Sequence, residues 1–329
     1  MTHRNLVTGG AGFVGKALVS ALRARGEYVR SFDLAAPCHA DDIRGSILDG
    51  EALSRALAGI DSVFHLAGNA QLWSSDPGLF DRINWQGTQI VIDAAIQAGV
   101  TKFVHCSSLT TLVGRSTPIG PSTADETIRL SVDDMLGPYP RSKLLAEHLV
   151  ERVAADDIDG IIVLPTEPIG PGDEAMTPPT QMICDFAAER TPAYIDCILN
   201  FVPVLSLAEG MIAARNNGRS GERYLLGGAN TSMTDLLTLI GRLSNAKTPR
   251  TKMPYWVALA AGAIDTKVVS LLTNKSPKAP LTGVRLAGRQ VSFSSEKASS
   301  ELSWAATPFE PALEAMLAWL RDTGRLQSR

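Results

Sequence analysis

A tyrosine and a lysine four positions apart are the side chains best suited to chemistry in this sequence. Tyr139 and Lys143 lie in the stretch Tyr-Pro-Arg-Ser-Lys, and no other tyrosine has a lysine at that spacing. Pro140 favours a helix start, so both side chains share one helix face. An ammonium and a helix N-terminus both favour a deprotonated phenol, so we expect the pKa of Tyr139 to be lowered. Such a phenol can exchange a proton during carbonyl–alcohol interconversion, whereas the alternative is an ordinary surface pair.

Two serines follow a buried strand predicted at residues 102–106. Ser107 and Ser108 therefore lie at the carboxyl end of a parallel strand, where such sheets hold their ligands. A hydroxyl there can hydrogen-bond a reacting carbonyl. Paired serines also cap turns, and the sequence leaves open which of the two would contact a substrate.

A glycine-rich segment at residues 8–15 (Thr-Gly-Gly-Ala-Gly-Phe-Val-Gly) connects a strand at 5–8 with a helix at 13–25. Gly9 permits a tight turn, Gly12 lets the backbone approach a pyrophosphate, and Gly15 lets the helix pack close to the strand. The helix N-terminus adds N–H groups and a favourable field. This position predicts a dinucleotide site, although glycines also serve ordinary turns.

Asp33 ends the second predicted strand (residues 28–32), 18 positions beyond Gly15. A carboxylate there can accept hydrogen bonds from ribose hydroxyls and would repel a 2′-phosphate. NAD(H) is therefore favoured. NADP(H) stays possible because Arg30 and Arg44 could hold a phosphate.

The elements that position these residues alternate between strands and helices. Further strands are predicted at residues 62–66, 102–106 and 160–164, each preceded by a helical stretch, which indicates a doubly wound parallel α/β sheet of the Rossmann type. Residues 165–181 are rich in proline and glycine and are predicted to form a loop. We expect a dinucleotide-binding domain from residues 1–165 plus about 200–228. A smaller substrate domain would comprise about 166–199 and 229–329.

Composition excludes several classes of function. The 329 residues carry a formal net charge of −3, which argues against binding to nucleic acid. Four scattered cysteines and five dispersed histidines predict neither a disulfide framework nor a metal site. The absence of a targeting segment or a long apolar run predicts a soluble, cytoplasmic protein.

Together these motifs resemble the extended short-chain dehydrogenase/reductase family (the NAD-dependent epimerase/dehydratase superfamily), nearest its dihydroflavonol-reductase and 3β-hydroxysteroid-dehydrogenase-like branches. Further matching segments are His65-Leu66-Ala67-Gly68, Asn84-Trp85-Gln86-Gly87-Thr88 and the loop from Pro165 to Asp173. The resemblance implies catalytic roles for Ser108, Tyr139 and Lys143. It also implies cofactor contacts from Gly9, Gly12, Phe13, Val14, Gly15, Asp33, Ile47, Leu66, Ala67, Gly68, Asn84, Ser107, Tyr139, Lys143, Pro165, Thr166 and Pro168. A monomer or a homodimer is compatible with it.

Departures from the family pattern concern the substrate side. Leu164 stands where an arginine is common, and residues 200–206 (Asn-Phe-Val-Pro-Val-Leu-Ser) lack a histidine and two aspartates. Ser108-Leu109-Thr110 cannot supply the acid chemistry of sugar-nucleotide dehydratases. These losses of polar groups weaken a sugar-nucleotide assignment.

An apolar helix is predicted from Pro254, with an apolar face formed by Trp256, Leu259, Ala260, Ala263, Ile264, Val268, Leu271 and Leu272. Lysines flank it. It could pack into the core of the small domain, or it could form an apolar lid or a peripheral contact at the inner face of a membrane, near residues 255–272.

The sequence therefore predicts an NAD(P)-dependent oxidoreductase that interconverts a ketone and a secondary alcohol on a hydrophobic, long-chain lipid such as a 3-oxo sphingoid base, a ceramide or a sterol. One alternative is a sugar-nucleotide epimerase that retains its NAD, for which Arg190, Arg215, Arg219 and Arg223 could bind a diphosphate. Another is a cofactor-bound structural subunit without turnover. The substrate and the reaction direction are left open.

Overall fold

The structure, a computed structural model, describes residues 3–266 and 276–326. Its largest element is a seven-stranded sheet whose neighbouring strands all run parallel. The strands are β1 (Arg4–Thr8), β2 (Tyr28–Asp33), β3 (Ile43–Arg44), β4 (Ser62–His65), β5 (Lys102–Cys106), β7 (Asp159–Pro165) and β11 (Arg223–Leu226). Their order, β3-β2-β1-β4-β5-β7-β11, is that of a Rossmann fold and confirms the predicted fold class.

Helices cover both faces of this sheet because its strands are apolar on both sides. One face packs against α1 (Phe13–Ala24) and α7 (Val204–Asn217), and the other against α2 (Gly50–Leu57), α4 (Gly87–Gln97) and α5 (Pro138–Val153). In β1, Leu6 belongs to one core and its neighbour Val7 to the other, as expected for side chains that alternate along a strand. A short α3 (Gly78–Phe80) and a π-helical segment (Asp81–Gln86) lead into α4.

The remaining strands form three small sheets. In the first, β10 (Ile198–Pro203) pairs with β8 (Glu167–Ile169) and β12 (Ala229–Ser232); in the others, β9 (Ala193–Ile195) pairs with β13 (Thr251–Met253), and β6 (Ser122–Ala124) with β14 (Val291–Phe293). The accompanying helices are α6 (Pro178–Ala187), α8 (Met233–Ser244), α9 (Tyr255–Ile264), α10 (Leu281–Ala287), α11 (Glu296–Leu302) and α12 (Glu310–Asp322). A third apolar core lies mainly among α6, α8 and α12.

Two details differ from the sequence-based expectations. The predicted loop at residues 165–181 is wrong in part, because it contains β8 and the start of α6, whose prolines occupy the first helical turn. Near residues 200–228 only β11 joins the large sheet, whereas β10 lies in a small one. The proposed division into two domains stays a prediction.

The apolar helix predicted from Pro254 is present as α9. Val268, Leu271 and Leu272, which were expected to extend its apolar face, lie outside the described residues. Within the ranges that the structure describes, no helix has the length and apolar character needed to cross a bilayer.

Candidate active site

The predicted site segments converge at the carboxyl edge of the large sheet, since each follows a parallel strand. The glycine loop follows β1, Leu66 to Gly68 follow β4, Ser107 and Ser108 follow β5, and Thr166 follows β7. Parallel strands end at a common edge, so these loops form one cleft. The sheet topology therefore brings together segments that are far apart in sequence.

The glycine loop is shaped by two close approaches and by the free start of α1. Gly9 has φ +72°, and a Cβ there would lie 2.8 Å from the amide nitrogen of Ala67. A Cβ at Gly15 would lie only 2.1 Å from the carbonyl oxygen of Gly9. Gly12 begins α1, and no side chain in the described part of the chain caps its first N–H groups. Free N–H groups at a helix N-terminus form the site that a pyrophosphate requires.

Asp33 lies at the end of β2, beside this loop. Its carboxylate accepts hydrogen bonds from the backbone N–H groups of Ala11 and Ala35, both at 3.0 Å. A cavity of about 480 Å³, lined in part by Gly10, Ala11, Asp33 and residues 35–39, adjoins it. The guanidinium of Arg30 donates to the carbonyl oxygens at the end of α2 instead. A 2′-phosphate would therefore face a fixed negative charge here.

His65, the last residue of β4, connects the glycine-loop strand with α4. Its Nδ1 lies 2.7 Å from Thr8 Oγ1, and its Nε2 lies 2.9 Å from Thr88 Oγ1. Because the Thr88 hydroxyl donates to the carbonyl of Asn84, Nε2 of His65 donates and Nδ1 accepts. Burial lowers the pKa of His65 to about 3, so the imidazole is neutral. This histidine is a structural connector.

Asn84 lies in the π-helical segment and its amide is held within the protein. Its Oδ1 accepts the N–H of Asn69 at 2.7 Å, and its Nδ2 donates to Asn69 O and to Ser142 Oγ. Ser142 in turn donates to the carbonyl of Tyr139. The loop after β4 is thereby joined to the helix that carries Tyr139. A direct contact between Asn84 and a cofactor stays a prediction.

Ser108, Tyr139 and Lys143 lie together. The hydroxyls of Tyr139 and Ser108 lie near each other, and Ser108 Oγ accepts from the N–H of Thr110 at 3.2 Å. Phe80 packs edge-on against the Tyr139 ring at 6.2 Å between centroids. The ammonium of Lys143 donates to the carbonyl of Cys106 at 2.5 Å. Helix α5 thus presents a phenol and an ammonium to the end of β5.

The protonation of Tyr139 differs from the sequence-based expectation. Burial raises its pKa to about 12, although the nearby Ser108 hydroxyl acts in the opposite direction. The predicted lowering is wrong for this structure because desolvation of the phenolate outweighs the favourable contacts. Burial also lowers the pKa of Lys143. The Tyr139 phenol is therefore protonated at neutral pH.

Ser107 points away from Tyr139, toward a group that the sequence analysis missed. Its hydroxyl donates to Glu147, a fully buried carboxylate one turn after Lys143. The other carboxylate oxygen lies 3.1 Å from Nε of the buried Arg223 in β11. The signal that could have found Glu147 was its spacing, since it continues the i, i+4 row of Tyr139 and Lys143. The structure thus places Ser108, rather than Ser107, against Tyr139.

The segment after β7 lies against the start of α1. Pro165 and Thr166 are buried, and Pro168 is half-buried. A Cβ at Gly170 would lie 3.9 Å from the ring of Phe13. The hydroxyl of Thr166 is buried and, in the part of the chain that the structure describes, has no hydrogen-bond partner. A ligand beside α1 could satisfy it.

Ile47, one of the predicted cofactor contacts, is buried and packs against Gly87 at the start of α4.

Glu167, next to Thr166, is a buried carboxyl at the edge of the site. Burial raises the pKa of Glu167 to about 8, while one of its oxygens accepts the N–H of Asn200 at 2.9 Å. Across residues 3–266 and 276–326, no cluster of three histidine, cysteine or acidic side chains could hold a metal ion.

These features fit NAD(H). The uncapped start of α1 and the glycine loop could hold the pyrophosphate, Asp33 a ribose, and Lys143 and Thr166 the nicotinamide end. The fit rests on free N–H groups, on positions where a Cβ would clash and on the unpartnered Thr166 hydroxyl.

Comparison with known proteins also indicates an NAD-dependent enzyme. The model of the NAD dependent epimerase/dehydratase family matches residues 5–227. A putative dihydroflavonol 4-reductase of Synechocystis is 30% identical over 98% of this chain and 96% of its own length. The sterol demethylase protein B of Methylococcus capsulatus is 30% identical over 98% of this chain and 99% of its own length.

Two further matches have similar coverage. The 4-hydroxy-2-methyl-3-oxo-4-farnesyl-3,4-dihydroquinoline-1-oxide ketoreductase of Stigmatella aurantiaca is 31% identical over 92% of each chain. The crystal structure of gox2253 is 33% identical, has a TM-score of 0.85 and covers 99% of this chain and 100% of its own. These findings confirm the expected cofactor, NAD(H), and the oxidoreductase class. The chain belongs to the NAD-dependent epimerase/dehydratase family, the extended short-chain dehydrogenases/reductases.

Proposed function

We propose that this enzyme interconverts a ketone and a secondary alcohol on a hydrophobic, lipid-type substrate. The observation that carries the proposal is the buried contact between the Ser108 and Tyr139 hydroxyls beside Lys143. Bound NAD(H) supplies hydride chemistry at its nicotinamide. Ser108 donates a hydrogen bond to the substrate oxygen, and Tyr139 gives its proton to that oxygen as it becomes an alkoxide. Both groups act on one oxygen, which suits a ketone.

The four arginines that could bind a diphosphate all have carboxylate partners within the chain. Arg215 is buried against Glu27, and Arg223 against Glu147. Arg219 pairs with Glu301 at 2.6 Å, and Arg190 with Asp185 at 3.3 Å. A nucleotide sugar would have to compete with these contacts for its counter-charges. This arrangement favours an uncharged substrate over a sugar nucleotide.

An apolar unit, formed by α9 and α10, lies next to the catalytic helix. A Cβ at Gly137, two residues before Tyr139, would lie 2.3 Å from Thr282 Oγ1 of α10. The guanidinium of Arg285 donates to the carbonyl of Leu136 at 3.3 Å. Leu72, from the loop after β4, packs against the same helix. A lipid could therefore reach Tyr139 along apolar surface.

Helix α9 exposes an apolar row on its outer side. Trp256 and Ile264 are 73% and 59% exposed, and Ala260 lies between them at the same helical spacing. Ala258 and Gly262, on the opposite side, are buried toward α10. The exposed bases Arg250 and Lys278 lie near the two ends of this unit. We propose that this row contacts a membrane surface, from which the substrate is drawn.

The relatives support a hydrophobic ketone. One acts, by its name, on a ring ketone that carries a farnesyl chain, and another is named for sterol demethylation. Both names refer to a molecule with a hydrophobic carbon skeleton, a farnesyl chain in one and a sterol in the other. A long-chain 3-oxo lipid, such as an oxidised sphingoid base or ceramide, or a sterol-like ketone, fits the same description.

The test is absorbance at the reduced-nicotinamide band with NADH and a panel of 3-oxo lipids, keto-sterols and nucleotide sugars. We expect net loss of NADH with at least one lipid ketone and none with nucleotide sugars. Tightly retained NAD with turnover of a nucleotide sugar and no net redox change would assign an epimerase instead. Normal biological activity of a Tyr139→Phe variant would indicate a structural subunit without turnover.

A further inference from the structure

Ser108 is held at both of its oxygens by the two threonines of the turn that follows it. Its carbonyl oxygen accepts the N–H of Thr111 at 3.2 Å and the Thr111 hydroxyl at 3.0 Å. Its Oγ accepts the N–H of Thr110 at 3.2 Å and the Thr110 hydroxyl at 3.1 Å. Ser108 and Thr110 are 8% and 6% exposed, so water has little access to these hydrogen bonds. The 3₁₀ turn Leu109–Leu112 therefore fixes both the backbone and the side chain of Ser108.

The direction of the hydrogen bond between the Thr110 and Ser108 hydroxyls follows from the acceptors around them. Within residues 3–266 and 276–326, the Thr110 hydroxyl is hydrogen-bonded to Ser108 Oγ alone, so its proton has one acceptor. The Ser108 proton has an alternative, because the hydroxyl of Tyr139 lies near it and helix α5 packs against this turn. Buried hydroxyls donate where an acceptor exists, and both protons are used only when Thr110 donates to Ser108.

The two donors of Thr110 use up the capacity of Ser108 Oγ to accept hydrogen bonds. A serine hydroxyl has two lone pairs and one proton. The Thr110 N–H occupies one lone pair and the Thr110 hydroxyl occupies the other. Ser108 can then donate its proton but cannot accept a further hydrogen bond. It also cannot take the phenolic proton of Tyr139, which stays available for a substrate oxygen.

We propose that Thr110 is a positioning residue that makes Ser108 a hydrogen-bond donor only, so that Ser108 and Tyr139 direct two protons at one substrate oxygen. The inference rests on the function proposed above. Two donors suit the oxygen of a ketone, and they suit still better the alkoxide that forms from it. An alcohol bound beside a protonated Tyr139 would leave its own proton without an acceptor. Thr110 thereby favours a carbonyl as the group bound between Ser108 and Tyr139.

The kinetic test is Thr110→Val, in which the N–H donor stays and a methyl group of similar volume replaces the hydroxyl. One lone pair of Ser108 becomes free, so Tyr139 can donate to Ser108 instead of to the substrate. We expect the single-turnover rate of NADH oxidation to fall about tenfold or more, with KM for the ketone within about threefold and NADH affinity within about twofold of the wild-type values. Thr110→Ser, which restores the hydroxyl, should recover the rate to within about threefold.

Thr127→Val is the matched control. The N–H and the hydroxyl of Thr127 both donate to Oδ1 of Asp125, which also lies two residues earlier in the chain. Thr127 is exposed in the loop after β6, so this variant should reduce the ketone at the wild-type rate. A Thr110→Val rate equal to that of the wild type, or a loss that Thr110→Ser does not recover, would overturn the proposal.

A second measurement needs no substrate and decides the question if Thr110→Val does not fold. Neutron diffraction from deuterium-exchanged crystals of the wild type locates the deuteron on Ser108 Oγ. We expect this deuteron to point toward Tyr139 and the deuteron of Thr110 to point at Ser108 Oγ. A Ser108 deuteron directed at Thr110 would overturn the inference whatever the substrate is. Turnover of a nucleotide sugar and of no lipid ketone would contradict the proposed function and leave the neutron result intact.

Discussion

In the proposed reaction, the proton on Tyr139 determines which direction its side chain supports at neutral pH. Ketone reduction requires the protonated phenol and alcohol oxidation requires the phenolate, and burial raises the pKa to about 12. We therefore expect the reduction rate to stay flat between about pH 6 and 9, whereas oxidation rises close to tenfold per pH unit. Initial rates in both directions at saturating NADH or NAD test this. A plateau of oxidation near pH 7 would show a lowered pKa instead.

Glu167 makes the folded state sensitive to pH. Its pKa is raised from the ordinary 4.5 to about 8, so the folded protein keeps a proton that the unfolded chain releases. The stability linked to this proton is fully present below about pH 4.5 and is lost as pH rises through 8. Glu167→Gln, neutral at every pH, should match the wild type near pH 4.5 and exceed its unfolding free energy by roughly 5 kcal/mol at pH 9.

Denaturant titrations at the two pH values measure this difference. Glu174→Gln, which removes an exposed ion pair with Lys16, is the control and should leave the unfolding free energy nearly unchanged at either pH. An equal effect of Glu167→Gln at both pH values would show that the carboxyl is already ionised in the folded protein.

Residue spacing alone identified Tyr139 and Lys143, but the environment of these side chains depends on the tertiary structure. The i, i+4 spacing places both groups on one helix face whatever surrounds them. The pKa of Tyr139 depends instead on desolvation by Phe80 and the end of β5, which are distant in sequence. The choice between Ser107 and Ser108 likewise depends on Glu147, which spacing alone did not single out.

At the scale of elements, the turn from β1 into α1 has little tolerance for side chains. A Cβ at Gly15 would lie 2.1 Å from Gly9 O, so Gly15→Ala must push α1 away from the loop. We expect NADH to bind at least about tenfold more weakly, as titration by fluorescence would measure. Gly50→Ala, at the start of α2 with nothing within 4 Å of the added carbon, should bind NADH normally. Unchanged affinity in Gly15→Ala would place the pyrophosphate elsewhere.

The exposed row of α9 gives a second prediction at this scale. Trp256→Glu should reduce co-sedimentation with vesicles that contain anionic lipid and raise KM for a lipid ketone, while NADH affinity stays unchanged. Leu205→Glu, on α7, is a matched control because Leu205 is similarly exposed, at 68%. Vesicle binding that survives in Trp256→Glu, or is lost equally in both variants, would contradict a membrane contact through α9.

The bounds of the long elements follow from local pattern, and those of the short ones do not. Helix α1 was expected at residues 13–25 and spans Phe13–Ala24. In contrast, β8 has three residues, two of them Glu167 and Pro168, and is a strand only because its backbone pairs with β10. For this reason the sequence alone predicts a loop for the proline-rich residues 165–181, and the short strand becomes evident only from its pairing with β10.

At the scale of the whole molecule, alternating strands and helices were enough to predict a doubly wound sheet. Most neighbours in the seven-stranded order follow one another along the chain, and the exceptions are the return from β3 to β4 beside β1 and the long connection from β7 to β11. The small sheets could not be predicted, since strands of three residues pair across long separations, as in β6 with β14 (Ser122 beside Val291). No periodic pattern exists in segments this short.

The central claim is that Tyr139 carries the proton of an NADH-dependent ketone reduction. The most direct measurement is the single-turnover rate of NADH oxidation with a lipid ketone in the wild type and in Tyr139→Phe, with NADH affinity measured in both. The account predicts that the variant binds NADH within about twofold of the wild type and reduces the ketone at least 10²-fold more slowly, as expected for loss of a general acid. A variant that keeps more than about a tenth of the rate would contradict it.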